Sequence, residues 1–228
     1  MGKAIPTVEG WHSQHMVFAM DFSAWNCFTA EEKAEARNEL KAFLADLEAK
    51  HQAKEGSYAF YDCNGAKGDL ILWILGPSLE YLAQVERKFR RLAIASVLVQ
   101  TYSYTSVTEV SAYVKAKLDT EEVNQKLYPH VPRDKYICFY NMSKKREGVD
   151  NWFMLPPQER GALMKSHGEL GKTYLDVLSE FTTGGCGLDD WEWGITIFSN
   201  DDIQFKKIVY DMRFEVASAK YGIFSDFY

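Results

Sequence analysis

The order of strands and helices predicted from this sequence occurs twice, which limits the possible folds of the 228-residue chain more than any other feature. Alternating apolar residues predict strands, and charged amphipathic stretches predict helices. The first half reads strand-helix-strand-strand-helix-strand over residues 12–22, 29–52, 57–62, 69–75, 78–95 and 97–113. The second half repeats this order over residues 135–142, 156–177, 178–183, 191–199, 200–220 and 223–228. Thr29, with Glu32 three residues later, predicts a capping box at the start of the first long helix.

Each half therefore has the ferredoxin-like order of elements. Helices on one face of each half leave two apolar sheets, which must cover each other or curl together into a barrel-like core. The sequence thus predicts an α+β protein with an N-terminal repeat at residues 1–115 and a C-terminal repeat at residues 135–228. The polar segment 116–134, which contains Pro129 and Pro132, is interpreted as the linker.

Composition and charge exclude several classes of protein. The net charge of −6 argues against general nucleic-acid binding, which needs a basic face. No apolar run approaches the roughly 18 residues that a membrane span requires, and the first residues lack the apolar core of a signal peptide. The four cysteines are far apart and form no CxxC motif, so we expect reduced, mostly buried thiols in a cytoplasmic protein. The 14% aromatic content suggests a large apolar pocket or a broad interface.

The segment 136–152 combines a predicted strand with a cluster of cations. Tyr140 lies on this strand, where a tyrosine is usually a packed side chain with a satisfied hydroxyl but can also relay an electron and a proton. Lys144, Lys145 and Arg146 follow directly. They fit either a solvated loop or a clamp for carboxylates or phosphates. Further candidate anion contacts are Lys126, Arg213 and Ser218.

His167 lies on the apolar face of the helix predicted at residues 156–177. One interpretation is a core or capping histidine bonded to a backbone group. The other is an axial haem ligand, because a lone imidazole in an apolar pocket is what a haem iron needs on its proximal side. Gly168 and Gly171 would allow a flat ligand to approach the helix closely.

An ordered set of motifs resembles the chlorite dismutase-like haem protein family, and its coproheme decarboxylase branch in particular. The motifs are YICFYNMSKKREGVDNWFMLP, HGELGKTY, DDWEWGITIFS and QFKKIVYDMRF. The resemblance covers most of the chain and is densest from about Lys126 onward. It implies paired ferredoxin-like repeats that form an α+β barrel, and assembly as a homopentamer.

The resemblance also implies a role for individual residues. The proximal ligand of the haem iron falls on His167, and the catalytic tyrosine that carries a radical falls on Tyr140. Lys144 matches the lysine near the reacting propionate. The remaining matches are two pocket residues and two propionate contacts: Met142, Trp152, Arg213 and Ser218.

The reaction implied by this resemblance is oxidative decarboxylation of iron coproporphyrin III (coproheme) to haem b, with hydrogen peroxide as the oxidant. Tyr140 would transfer the oxidation to a propionate, carbon dioxide would leave and a vinyl group would remain. Two alternatives stay open. One is a general haem peroxidase or weak chlorite-degrading member of the same family, and the other is a non-catalytic haem-binding or haem-transfer protein.

Two positions depart from the pattern of this branch. Glu180 stands where the branch has a distal glutamine and chlorite-degrading members have arginine. A carboxyl there could act as an acid or base toward peroxide, with its pKa raised by burial. Lys126 stands where the branch tends to have arginine, so a bidentate contact to a propionate becomes a point charge.

Overall fold

The computed structural model describes residues 4–111 and 119–228, which divide into two compact units. The N-terminal unit comprises Gly10–Thr108, Leu127–Val131 and Tyr228. The C-terminal unit comprises, of the described residues, 4–9, 109–111, 119–126 and 132–227. Within the described ranges, no helix combines the length and the apolar character needed to cross a membrane.

The N-terminal unit contains four strands with helices between them. Its elements in chain order are β1 (Thr7–Met20), α1 (Phe22–Cys27), α2 (Ala30–Gln52), β2 (Ser57–Asp62), β3 (Leu70–Gly76), α3 (Leu79–Phe89), a 3₁₀ turn (Ala93–Val97) and β4 (Leu98–Ser111). Strands β1 and β2 both pair antiparallel with β3, and the strand order is β2-β3-β1-β4. The first residues of β1 and the last residues of β4 belong to the C-terminal unit.

Helix α2 begins at the predicted capping box, which is confirmed: Thr29 Oγ1 accepts from Glu32 N–H, and the Glu32 carboxylate accepts from Thr29 N–H. Its apolar face contributes Phe43 and Leu47 to a core that also contains Leu72 of β3. Because this face and the sheet bury each other, the amphipathic pattern that predicts the helix also determines its orientation.

The described residues of the C-terminal unit contain four further strands. Its elements are α4 (Thr120–Leu127, of which Leu127 belongs to the N-terminal unit), β5 (Tyr136–Lys144), two 3₁₀ turns (Gly148–Asp150 and Trp152–Met154), α5 (Pro157–Lys172), β6 (Ser179–Gly184), β7 (Trp193–Ser199), α6 (Ile203–Met212), α7 (Val216–Ala219) and β8 (Gly222–Phe227). Strand β7 pairs antiparallel with both β5 and β6, and the strand order is β6-β7-β5-β8. The α+β class is therefore confirmed, while the ferredoxin-like repeats and the barrel stay predictions.

The single helix predicted at residues 200–220 is wrong, because the chain leaves the helical conformation between Met212 and Val216. Glu215 is extended, with φ −82° and ψ 133°, and its carboxylate caps α7 by accepting from Ala217 N–H and Ser218 N–H. Apolar residues recur on both sides of the break, so periodicity does not reveal it.

Two predicted segments extend beyond the described residues. The last part of the strand predicted at 97–113 and the start of the linker predicted at 116–134 lie among residues 112–118. Much of the rest of that linker is the helix α4 rather than irregular chain.

The cysteines are free, as predicted, but the expectation that most are buried is wrong. Cys27 and Cys186 are exposed, and Cys63 and Cys138 are half-buried. Cys27 ends the short helix α1, which has no buried residue, and Cys186 lies between β6 and β7. Their exposure follows from local topology that the sequence does not reveal.

Candidate active site

The C-terminal unit contains a cavity of about 610 Å³. Most of the predicted site residues line it: Tyr140, Met142, His167, Glu180, Arg213 and Ser218. Apolar side chains complete much of the wall, including Ile195 and Ile197 of β7 and Ile208 of α6. The volume and the apolar lining with a few polar groups are typical of a small-molecule site.

The register of three strands brings Tyr140 and Glu180 to the same wall of this cavity. Tyr140 on β5 pairs with Ile195 on β7, which pairs with Thr182 on β6. Directly paired residues share a face of the sheet, and so do residues two apart on one strand. Glu180 therefore faces the same side as Tyr140, with the apolar surface of β7 between them.

His167 on α5 is oriented by a buried carboxylate that the sequence did not indicate. Its Nδ1 lies 3.2 Å from Glu215 Oε2 and 3.5 Å from Ser218 Oγ. The contact with Glu215 favours the tautomer with a proton on Nδ1 and leaves Nε2 as the nitrogen available to an iron. A metal-ligating imidazole usually has a carboxylate behind it in this way, bonded to the nitrogen that does not face the metal.

The ring of Tyr140 is half-buried between aromatic side chains of β8. Phe227 stacks on it with ring centroids 4.4 Å apart, and Phe224 lies at 6.1 Å with a tilt of 53°. Burial raises the pKa of Tyr140 well above its ordinary value, and the nearby Glu180 carboxylate raises it further. The phenol is therefore protonated at neutral pH, and oxidation must remove its proton together with an electron.

The Glu180 side chain lines the cavity and is exposed there, although neighbouring protein desolvates its carboxyl. Desolvation raises the pKa of its carboxyl, and His167, a hydrogen bond from Thr182 Oγ1 at 3.4 Å and the charge of Lys126 all oppose that rise. A carboxyl whose pKa is raised toward neutrality can donate a proton to a bound ligand, or accept one from it, near neutral pH. Lys126 itself is exposed on α4 and does not line the cavity.

Neither Lys144 nor Trp152 lines this cavity. The buried Lys144 Nζ donates to the carbonyl of Ala217 at 2.6 Å and lies 4.8 Å from the centre of the Trp152 ring. Burial lowers the pKa of Lys144 to about 8, although the carboxylates of Glu215 and Glu192 act in the opposite direction. Lys144 borders a second, polar cavity of about 750 Å³ that also contains Lys145 and Arg146 of the predicted cluster.

Sequence reasoning missed Glu215, Phe224 and Phe227. Their positions depend on the break between α6 and α7 and on the register of β8. The only sequence signal for Glu215 is an acidic residue directly before the short segment V-A-S-A, since a negative charge favours a helix N-terminus.

Comparison with known proteins identifies the family. The family model described as "Chlorite dismutase" matches residues 33–228. The chain belongs to the chlorite dismutase family. A coproheme decarboxylase from Staphylococcus saprophyticus is 41% identical over the whole of this chain and 94% of its own length.

Two solved structures resemble the chain. A haem-binding protein from Thermus thermophilus is 43% identical, with a TM-score of 0.95 over 100% of this chain and 92% of its own. A chlorite dismutase from Candidatus Nitrospira defluvii, solved with imidazole, has a TM-score of 0.75 at 17% identity. That alignment covers 95% of this chain and 88% of the dismutase, and it shows a shared fold.

The cavity has the features that an iron porphyrin needs. The apolar residues of β7 and α6 suit the face of the macrocycle, and His167 offers one ring nitrogen while Glu215 engages the other. Arg213 and Ser218 provide polar groups for acidic substituents at the cavity wall.

Proposed function

We propose that this protein is a peroxide-dependent coproheme decarboxylase, which converts iron coproporphyrin III to haem b through a tyrosyl radical. One observation carries the proposal: a carboxylate-supported imidazole, His167, and a half-buried phenol, Tyr140, line the same cavity. The homologous coproheme decarboxylase, 41% identical along the full chain, supports the same assignment. The substrate's iron and hydrogen peroxide supply the oxidising chemistry, and the protein supplies ligation, position and charge.

In this proposal His167 holds the iron through Nε2. Glu215 fixes the ring orientation and makes the imidazole a stronger donor, because its carboxylate accepts the Nδ1 proton. Ser218 and Arg213 would bind propionates, while Met142 and Trp152 would shape the pocket. Trp152 would act indirectly through its contacts with Tyr221 and Lys144.

Tyr140 is proposed to lose an electron and its phenolic proton and then to take a hydrogen atom from a propionate side chain. The side chain then loses carbon dioxide and a second electron, which leaves a vinyl group. Each round removes two electrons from one propionate and reduces one peroxide to two waters, and two rounds give haem b. Burial of Tyr140 supports this role, since it favours coupled loss of proton and electron over simple ionisation.

Lys144 and Lys126 are proposed to respond to the charge of the substrate. An unpaired carboxylate is costly in an apolar site, so incoming propionates favour nearby cations. Lys144 would have to exchange the Ala217 carbonyl for a propionate oxygen. Lys126 is close enough to influence the charge state of Glu180.

Glu180 is proposed as the acid or base that handles the protons of peroxide. The same residue favours a second candidate function, a general haem peroxidase or a weak chlorite-degrading enzyme, because a carboxyl replaces the glutamine of the branch. A third candidate, a haem-binding or haem-transfer protein, is suggested by the description of the Thermus relative as haem-binding.

One set of measurements separates these functions. Iron coproporphyrin III and haem b are titrated by absorbance into wild type, His167→Ala and Tyr140→Phe, and products formed with peroxide are identified by mass. The proposed enzyme loses two carbon dioxide molecules per substrate, Tyr140→Phe binds without turnover, and His167→Ala binds weakly. Oxygen release from chlorite without decarboxylation would favour the second function, and tight binding with no turnover by wild type would favour the third.

The finer architecture is also proposed. Identical strand orders in the two units, β2-β3-β1-β4 and β6-β7-β5-β8, support tandem ferredoxin-like repeats that form a barrel-like core. The repeat boundaries at residues 1–115 and 135–228, a homopentameric assembly and a cytoplasmic location complete the proposal. Light scattering of the purified protein tests the assembly.

A further inference from the structure

Strand β8 contains one extra residue opposite β5, directly beside the candidate radical site. Tyr140 pairs with Phe227 and Met142 pairs with Phe224, so one residue of β5 faces two residues of β8. The register before this point is regular, with Ser143 opposite Ile223. The irregularity is a β-bulge at Ser225–Asp226.

The bulge determines where two aromatic side chains lie. In a regular strand, side chains alternate between faces, so residues 224 and 227 would lie on opposite sides. The extra residue resets this alternation, and both Phe224 and Phe227 line the cavity with Tyr140. As a result Phe227 stacks against the Tyr140 ring at 4.4 Å, at an interplanar angle of 26°.

Ser225 fixes the bulge through its side chain. Asn141 N–H donates to Ser225 Oγ at 2.8 Å, so a side-chain oxygen accepts a hydrogen bond from the backbone of β5. Ser225 Oγ in turn donates to the carbonyl of Asp226 at 2.9 Å. Because Asn141 lies between Tyr140 and Met142 on β5, the anchor is adjacent to the residue whose ring it helps to orient.

The ring contacts matter for the orientation of Tyr140 because its hydroxyl forms no hydrogen bond with a described residue. The orientation of the phenol therefore depends on packing. Stacked and tilted aromatic neighbours restrict rotation about the ring axis and the side-chain torsions. The position of the phenolic oxygen relative to a bound ligand follows from that restriction.

We propose that Ser225, Phe224 and Phe227 are positioning residues for Tyr140: the bulge directs both phenylalanines to the cavity, and their rings hold the phenol in the geometry required for hydrogen transfer. This inference rests on the proposed function. It assigns a role to β8 that goes beyond binding the porphyrin, since neither phenylalanine needs to contact the reacting carbon.

The first test uses the ligand-free full-length chain. Tyrosines are replaced by 3-fluorotyrosine, and the ¹⁹F resonance of Tyr140 is assigned by its loss in Tyr140→Phe. Phe227→Leu removes the stacked ring, and Ser225→Ala removes the acceptor for Asn141 N–H, so both should shift this resonance. Ser225→Thr retains the hydroxyl, so the ¹⁹F resonance of Tyr140 should stay at its wild-type position.

The second test uses iron coproporphyrin III and peroxide. Displacement of a reacting group by about 1 Å can cost up to about a hundredfold in rate, so Phe227→Leu and Ser225→Ala should lower kcat about tenfold or more and change KM by less than about twofold. The electron paramagnetic resonance spectrum of the trapped tyrosyl radical should show altered β-proton splitting, which reports ring orientation. Phe181→Leu is the matched control, because Phe181 lies on β6 next to Glu180 and so faces the other side of the strand.

An unchanged ¹⁹F resonance and an unchanged kcat in Phe227→Leu would overturn the inference. This variant keeps Ser225 and the bulge, so it decides the question even where Ser225→Ala fails to fold. The inference and the proposed function fail separately. A wild-type protein that binds coproheme but forms no vinyl product rejects the function, while the ¹⁹F shifts still report whether β8 orients Tyr140.

Discussion

Replacement of Glu215 by glutamine tests the assignment of His167 as the iron ligand without touching the histidine. The Glu215 side chain is 5% exposed, and Oε2 accepts from the His167 ring as well as from Ala217 N–H and Ser218 N–H. Oε1 has no hydrogen-bond partner among the described residues, so the carboxylate acts on the histidine through one oxygen. Glutamine keeps the shape and an acceptor oxygen but removes the negative charge.

The expected loss follows from that geometry. Mutation of the hydrogen-bond partner behind a metal ligand typically costs about 10- to 100-fold in metal affinity, which corresponds to about 1.4–2.7 kcal/mol. A hydrogen bond to a charged group contributes about 1.5–3 kcal/mol and a neutral one about 0.5–1.5 kcal/mol, so loss of the charge alone accounts for the lower end of that range. We therefore expect Glu215→Gln to raise the Kd for haem b and for iron coproporphyrin III by about 10- to 100-fold.

Absorbance titration of the Soret band measures both Kd values, and resonance Raman spectroscopy measures the iron–histidine stretch. The stretching frequency should fall, because the imidazole loses the negative charge that makes it more basic. Glu109→Gln is the matched control: Glu109 is a carboxyl in the same unit that accepts from Trp193 Nε1 at 3.2 Å and does not line the cavity. Kd values within about twofold of wild type, with an unchanged stretch, would refute a supporting role of Glu215 toward an iron-bound His167.

Three further predictions concern pH and stability. The pKa of Glu180 is raised in the folded protein, so its contribution to stability is present at low pH and is lost as pH rises through the folded pKa. As pH increases above about 4.5, the melting temperature of wild type should therefore fall relative to that of Glu180→Gln, which lacks the titrating group. The pKa of Lys144 is lowered to about 8, so wild type should gain stability as pH rises from about 8 to 10.4, and Lys144→Met should lose this gain in denaturant titrations at each pH. Thr29→Ala removes the capping box and should lower the free energy of unfolding by about 1 kcal/mol. Thr29→Ser keeps the capping hydroxyl and should retain the stability of wild type. A parallel pH response of variant and wild type would contradict either of the first two, and an unchanged denaturation midpoint would contradict the third.

Local patterns predicted much of the secondary structure. Strand β2 begins and ends where the sequence indicates, at Ser57 and Asp62, and α2 begins at the capping box of Thr29. Such elements depend on side-chain alternation and on contacts a few residues apart, both of which are visible in the sequence. The predictions failed where a break depends on one capping side chain, as at Glu215, or where the pattern is interrupted by a short helix such as α1.

The candidate site was predicted in part through motifs. His167 and Tyr140 were singled out from the predicted helix and strand that carry them and then matched a motif of the family, Glu180 came from the resemblance alone, and the cavity brings these residues together. The partner of His167 could not be identified in the same way, since Glu215 is 48 residues away and joins it only because α7 packs against α5. The position of Lys144 also needed coordinates, because its hydrogen bond to Ala217 joins residues 73 apart.

The sequence by itself determined the α+β class, the duplicated order of elements and the set of candidate site residues, because periodicity, capping and motif order are local properties. Tertiary structure decided which of those residues share a cavity, which carboxylate contacts the imidazole and which rings pack against the phenol. Those outcomes depend on strand register and on the packing of distant segments. One additional residue in β8 changes the direction of an aromatic side chain, and no local pattern records that choice.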